Sequence, residues 1–310
     1  MTGSYAFPRV QVIPQPSRAS LRIDGTERVG YEFGLGFPRP FLFPVIGHSG
    51  ALLTRLGHPN PVGHEHHRSI WFGHQRLGGV NFWEEKPGTD IKVRHRQVSL
   101  YHDGTPWGGL VADLDWWAHG QTLLNHRLIL VIEPLGETDF ALDLQSRFEV
   151  PPGGGPIELG QTNFGFLGVR VAKTLSERFG GGQLVSADGT TSEEKLFGKR
   201  FRWVDYSGPS APAIHEGICF MDHPANPGHP THWHVRGDGW MSAAFNLASS
   251  HSLAAGHPLD LRYRLLIHHG PADPNLLDRA WREFAATPPY AVAPAQRNQL
   301  AALQRGTPAA

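Results

Sequence analysis

Polar and apolar residues alternate along most of this chain with a period of two, the spacing of an extended strand with one buried face. The clearest case runs from Leu259 to His269. Leu259, Leu261, Tyr263, Leu265, Ile267 and His269 fall on one side, and Asp260, Arg262, Arg264, Leu266 and His268 on the other. One of these faces is read as core and the other as facing a cleft. Asp139 to Val150 repeats the pattern, with Phe140, Leu142, Leu144 and Phe148 set against Asp139, Asp143, Gln145 and Arg147. Between Phe7 and Ile46, runs of β-branched and aromatic residues are broken by Pro14, Pro16, Asp24-Gly25 and Pro38 to Pro40. That punctuation predicts four short strands, with a hairpin turn at Asp24-Gly25. Further strands are predicted at about His66 to His74 and at Ile91 to Tyr101, Leu110 to Trp117, Thr122 to Glu133, Ile157 to Val169, Gln183 to Ala187 and Arg200 to Tyr206.

Helical spacing is confined to short stretches. Leu276, Leu277, Ala280, Trp281 and Phe284 give Pro274 to Ala286 an apolar stripe, and Asp273 is placed to cap its start. Pro294 to Arg305 predicts a weaker helix, and Val171 to Arg178 a short one. The PPGGGP run at Pro151 to Pro156 reads as a loop within one fold, because the same strand texture resumes at Ile157. The expected architecture is one all-β domain over residues 1–310. It is a large antiparallel β-sandwich with a few short peripheral helices, mainly in the C-terminal segment 273–305.

Composition supports strands joined by tight turns: Gly 37 and Pro 26 of 310 residues, with only 18% charged. Lys+Arg 28 balances Asp+Glu 28, so no basic footprint for nucleic acid or an anionic bilayer is present. Cys219 is the single cysteine, which excludes an intrachain disulfide and points to a reducing, cytoplasmic compartment. Neither a signal-peptide pattern nor an apolar run long enough to span a bilayer is found, so no membrane partner is expected.

Two histidine-rich stretches change the picture from fold to chemistry. His58, His64, His66, His67 and His74 precede Trp83, Glu84 and Glu85, and His215, His223, His229, His232 and His234 follow later. Imidazole is both a metal ligand and a general acid or base near neutral pH. On a regular strand His64, His66, Arg68 and His74 share one face and His67, Ser69 and Trp71 the other, while His232, His234 and Arg236 share a face further on. The spacing at 64–67 is not the helical pattern of zinc proteases. Tryptophans here serve either as core or as platforms for a sugar ring, and arginines either pair with carboxylates or hold an anionic group. The glycines at 153–155 and 180–182 lack the phosphate-loop and dinucleotide spacings, so no nucleotide cofactor is expected.

HHRSIWFGHQRLGGVNFWEE from His66, FGFLGVR from Phe164, GKRFRWVDYSG from Gly198, DHPANPGHPTHWHVRGDGW from Asp222 and YRLLIHHG from Tyr263 together resemble the PmoA-like family, which carries a methane-oxygenase label. The resemblance implies a galactose-mutarotase-like supersandwich with ligands on a concave face. His67 or His74, followed by Gly78-Gly79 and Trp83, is similar to the histidine, glycine-rich turn and tryptophan of aldose epimerases. Their late catalytic glutamate has no match in YRLLIHHG. From the residues and the resemblance together, a carbohydrate-processing enzyme is expected, with epimerase, lyase or hydrolase chemistry on a sugar or oxidised sugar derivative. His67, His74 and Arg68 are the expected catalytic residues. Trp83, Asn226, Arg236 and Arg264 are expected to bind the substrate, a small carbohydrate. His66, His234 and His268 are expected to hold one divalent metal ion of undetermined identity. Two alternatives stand beside this reading: a copper-dependent oxygenase-like protein, as the family label suggests, and a non-catalytic carbohydrate-binding protein. Assembly into a homo-oligomer is compatible with all three.

Overall fold

Tight turns and long antiparallel strands organise the computed structural model, which describes residues 7–57, 64–294 and 301–306. The chain opens with β1 (Val10–Pro14), β2 (Arg18–Ile23), β3 (Thr26–Glu32), β4 (Phe41–Val45) and β5 (Ile70–His74). Four long strands follow: β6 (Lys92–His102), β7 (Gly108–Ala118), β8 (Gln121–Leu135) and β9 (Asp139–Glu149). Next come β10 (Ile157–Leu159), β11 (Gly165–Arg170), a 3₁₀ turn (Lys173–Leu175), β12 (Gln183–Ser186) and α1 (Glu193–Leu196). The remainder is β13 (Trp203–Ala211), β14 (Ile214–Asp222), β15 (Trp233–Arg236), β16 (Trp240–Ala243), β17 (His251–Leu253), β18 (Leu259–His269), α2 (Pro274–Ala285), β19 (Tyr290–Pro294) and β20 (Ala301–Arg305). Asp24 and Gly25 adopt φ of 50° and 79°, the left-handed pair that lets a two-residue turn follow the twist of β2 and β3.

Two eight-stranded sheets result. The first has the order β1-β2-β3-β4-β5-β11-β16-β15 and the second β12-β13-β14-β18-β9-β8-β7-β6. Neighbouring strands within each are antiparallel. One core joins the sheets, with Leu21, Val29, Phe72, Val169 and Met241 from the first packed with Leu114, Leu130, Leu142, Phe148 and Leu265 from the second. The protein is therefore an all-β antiparallel sandwich, and the alternation in β9 and β18 points the expected rows into its core.

Three expectations are corrected. The polar face of β18 does not look into a cleft, because α2 covers it: Leu266 packs with Leu277 and Phe284, and Arg264 lies 4.9 Å from the Phe284 ring. Residues 301–305 are a strand rather than helix, since Leu303 joins Tyr290 against Val111, Ile129 and Val131. The intervening residues 295–300 lie outside the described residues. The helix expected at Val171 to Arg178 contracts to the 3₁₀ turn. As expected, Asp273 caps α2, its side chain accepting from the backbone N–H of Asn275 and Leu276. Among the described residues no helix is long and apolar enough to cross a membrane.

One ring in the core leaves two polar atoms without a hydrogen-bond partner, where Trp116 and Ser146 leave one each. His126 is 1% exposed, stacks on Phe148 at 4.2 Å and leaves both ring nitrogens unbonded. Burial lowers its pKa to about 3, so the ring is neutral. Unpartnered buried polar atoms are destabilising, by about 1–3 kcal/mol each in typical cases. His126→Phe keeps the aromatic stack and removes both nitrogens. It should therefore melt at or above the parent temperature in a thermal denaturation; a clear fall would mean that the imidazole is stabilising.

Candidate functional site

The outer face of β5, β11, β16 and β15 carries the candidate site. Strand register sets it out in two cross-strand rows. Trp71, Gly168, Ser242 and His234 stand opposite one another in the first, and Arg170, Trp240 and Arg236 in the second. Gly168 lacks a side chain where the Trp240 ring crosses the sheet, and a Cβ there would run into that ring. The indole is thereby laid flat as a floor, with Trp71 at 5.0 Å and Trp83 edge-on at 5.3 Å.

Above this floor the chain turns at His64–His67, with the His67 N–H donating to His64 O, and enters β5 through Ser69 at φ 59°. The kink ends the parity expected of a regular strand. His66 and His67 consequently approach each other at 4.5 Å between ring centroids, and His67 stacks on Trp240 at 5.1 Å. On the far side the segment carrying Trp83 is tied down: Asn81 Oδ1 accepts from the Trp83 and Glu84 N–H groups, and Arg39 Nη2 donates to Trp83 O at 2.9 Å. The cleft between them has a volume of about 580 Å³, within the range of small-molecule sites.

Burial dominates its electrostatics. His66 is held at about 4 by burial and then by the nearby Arg39 guanidinium, and His67 is pushed lower still by burial, His66 and Arg170. His234 is also at about 4, again by burial. Its ring is oriented: Nδ1 lies 2.9 Å from Asn163 O, and because a carbonyl only accepts, Nδ1 bears the proton and Nε2 the lone pair. His66 Nε2, His67 Nδ1, Trp240 Nε1, and Nε and Nη2 of Arg170 are buried without partners. Buried polar atoms in native proteins are nearly always paired, so this concentration marks a place where a ligand or ordered water bonds. Among the acids, Asp238 accepts from Arg170 Nη1 at 2.7 Å and Glu193 from Arg236 Nη1 at 2.9 Å.

Of the ten residues singled out in the sequence, His66, His67, Trp83, His234 and Arg236 line this cleft. The other five lie elsewhere, and each has a structural partner. His74 points to the opposite face of β5 from Trp71. Its Nδ1 accepts the Arg76 N–H, so Nε2 carries the proton and donates to Asn246 Oδ1 at 3.1 Å. Arg68 gives its guanidinium edge to Glu85 at 2.7 and 2.6 Å, behind the Trp83 segment. Asn226 Nδ2 donates to Asp222 Oδ1 and Arg262 O, tying a loop to β18. Arg264 pairs with Asp143 at 2.6 and 2.8 Å beneath α2, and His268 pairs with Asp205 at 2.8 Å on the second sheet.

The expected metal set therefore does not close, because His268 stands on β18 of the second sheet, whereas His234 stands on β15 of the first and His66 on the turn that leads into β5. Among the described residues no group of three or more His, Cys, Asp or Glu side chains could hold a metal ion. His58 lies outside the described residues. Arg170, Asp238 and Trp240 were missed as site residues, although they stand in the motifs FGFLGVR and GDGW. The available signal was the glycine two residues before Arg170, which only strand pairing connects to Trp240.

Two outcomes are expected. Gly168→Ala should displace the Trp240 ring, lowering stability by about 1–3 kcal/mol and altering the near-ultraviolet circular dichroism. An unchanged aromatic spectrum would contradict the packing. Secondly, His66, His74, His95, His223 and His234 are lowered to about 4 by burial first of all, so the folded chain refuses protons that the unfolded chain takes below about pH 6.5. Their contribution is complete above that pH and is lost as pH falls toward 4, with the half-buried His95 contributing least because solvent screens it. His268 opposes the trend. Burial works against its charge, but Asp205 raises its pKa, so its contribution is lost as pH rises through the folded value. Several groups outweigh one, and the urea midpoint should fall between about pH 7 and pH 5. A midpoint that holds or rises would refute the neutral-imidazole assignment.

A search of curated proteins found no match to the sequence. A family model matches residues 18–282, which is most of the chain and includes both rows of the cleft. The protein belongs to the DUF6807 family, a family of unknown function.

Proposed function

We propose that the protein is a carbohydrate-processing enzyme that moves a proton on a sugar or oxidised sugar derivative bound in this cleft. The observation that supports the reading best is His234: its Nδ1–H is fixed on Asn163 O, and it stands in one cross-strand row with Trp71 and next to Arg236. A neutral imidazole with one nitrogen locked as donor presents the other as a base. Trp83 and Trp240 offer indole surface to the apolar face of a sugar ring, and the cleft is of a size to accept one.

The chemistry is proton abstraction from the carbon beside a carbonyl or carboxyl group. Nε2 of His234 takes the proton, and the C–H electron pair moves onto the adjoining oxygen as an enolate. Arg236, on the same strand face as His234, supplies positive charge to that oxygen. Return of a proton to the opposite face gives an epimer; departure of a group from the next carbon gives an eliminated sugar. His67, stacked on Trp240 in the same cleft, is the second proton-handling group. His74 and Arg68 act by holding structure, and no step runs through a metal ion.

His234→Ala and His67→Ala test this reading. Each should lower turnover by roughly 10²-fold or more on whichever sugar the parent converts, with unchanged far-ultraviolet circular dichroism. His74→Ala should lower the melting temperature without a comparable loss of turnover at a temperature where it is folded. Full turnover in both cleft variants would overturn the proposal.

A further inference from the structure

Among the fully buried side chains at the cleft, Arg170 leaves two charged donors unused. It ends β11 fully buried, its Nη1 donates to Asp238 Oδ1, and its Nε and Nη2 have no partner. Nε–H and the adjacent Nη2–H form the side-on edge of the guanidinium, two nearly parallel donors whose spacing matches the oxygens of a carboxylate.

The same protein shows what this edge receives when it is buried. Arg264 offers Nε and Nη2 to the two oxygens of Asp143, and Arg68 offers them to those of Glu85. Arg170 is more deeply buried than either, and the neighbouring carboxylate of Asp238 engages Nη1 instead. A buried cation with an unfilled edge is costly, and a ligand oxyanion would remove the cost.

We propose that the cleft selects substrates bearing a carboxylate, with Arg170 as the specificity-determining residue that receives both carboxylate oxygens on Nε and Nη2. The inference rests on the sugar-processing reading and narrows it to sugar acids. A second line of support is the state of the base. An imidazole held at about 4 is a weak base at neutral pH. An anion bound beside it favours imidazolium and brings His234 toward its working range, so the substrate itself prepares the base. Proton abstraction beside a carboxyl group also requires positive charge at that group, which a bound guanidinium provides.

The test is calorimetric titration of the full chain with galacturonate, glucuronate, galactose, glucose, benzoate and inorganic phosphate, for the parent and for Arg170→Lys. At least one hexuronate should bind about tenfold or more tighter than its parent hexose, and Arg170→Lys should abolish that preference. Because the variant removes a buried group, the parent is also followed by ¹⁵N spectroscopy of its arginine Nε–H groups. A single protected signal should shift with hexuronate and not with hexose. Equal binding of hexuronate and hexose, no binding of any carboxylate, or a preference that survives in folded Arg170→Lys overturns the assignment. Phosphate binding as tightly as hexuronate through Arg170 also overturns it, because the site would then not select a carboxylate. Conversion of neutral hexoses alone would sink this inference and leave the sugar-processing reading standing. Benzoate binding as tightly as hexuronate, lost in Arg170→Lys, would support the arginine assignment and sink the sugar reading.

Discussion

The cleft depends on a part of the first sheet that is dry on both faces. On β5, β11, β16 and β15 the inner residues Phe72, Val169, Met241 and Val235 pack on the second sheet, while the outer residues Trp71 and Trp240 lie under the segment from His64 to Trp83. Ordinary antiparallel sheets can leave one face in water. Here the outer face is closed by aromatic rings, and an indole buried on a sheet contributes several kcal/mol through its area alone. The same closure removes water from whatever polar groups share the face. Low imidazole pKa values, unpartnered nitrogens and a fully buried arginine are consequences of that one arrangement.

Much of the fold was legible in the sequence because period-two alternation is a local property. The inner rows of β9 and β18, the Asp24-Gly25 hairpin and the cap at Asp273 all depend on residues close to one another in the chain. What covers a polar face is a long-range fact, and there the reading failed. Arg264 and His268 stand on the expected outer face of β18, but α2 and two partner carboxylates enclose them. Register was the second obstacle. A single residue with positive φ, Ser69, separates His66 and His67 from the strand, so the parity that would have put them on opposite faces does not apply. His74, two positions after Phe72, follows the inner face and is lost to the cleft.

Site residues were partly legible for the same reason. His234 and Arg236 were correctly paired because they sit two apart on one strand, β15. Arg170 and Trp240 could not be linked that way. They are 70 positions apart in number and meet only through the antiparallel pairing of β11 with β16. Other arginines nearby serve as ties. Arg68 and Arg39 converge on Glu85 and fix the Trp83 segment from behind, with Arg68 also lying over the Phe37 and Phe41 rings. Removing one partner of such a group leaves the other charge unpaired in a half-dry setting, so these residues shape the cleft without entering it.

The contrast between filled and unfilled guanidinium edges gives the site its direction. A cleft built only to bury sugar would be served by indoles and neutral hydrogen-bonding groups, and a charged side chain brought to full burial at its floor would be a liability. Asp238 offsets part of the charge on Arg170 but leaves the bidentate edge open. In the same cleft stand imidazoles that burial keeps neutral, so His66 and His67 add no charge of their own to the free site. An entering carboxylate meets the arginine first in energy, because the ion pair is the strongest interaction available there. Only after its arrival do the imidazoles gain a counter-charge that favours protonation. On the proposed reading, recognition and the readiness of the base are then a single electrostatic event, and the burial of Arg170 and the imidazoles makes it large enough to matter.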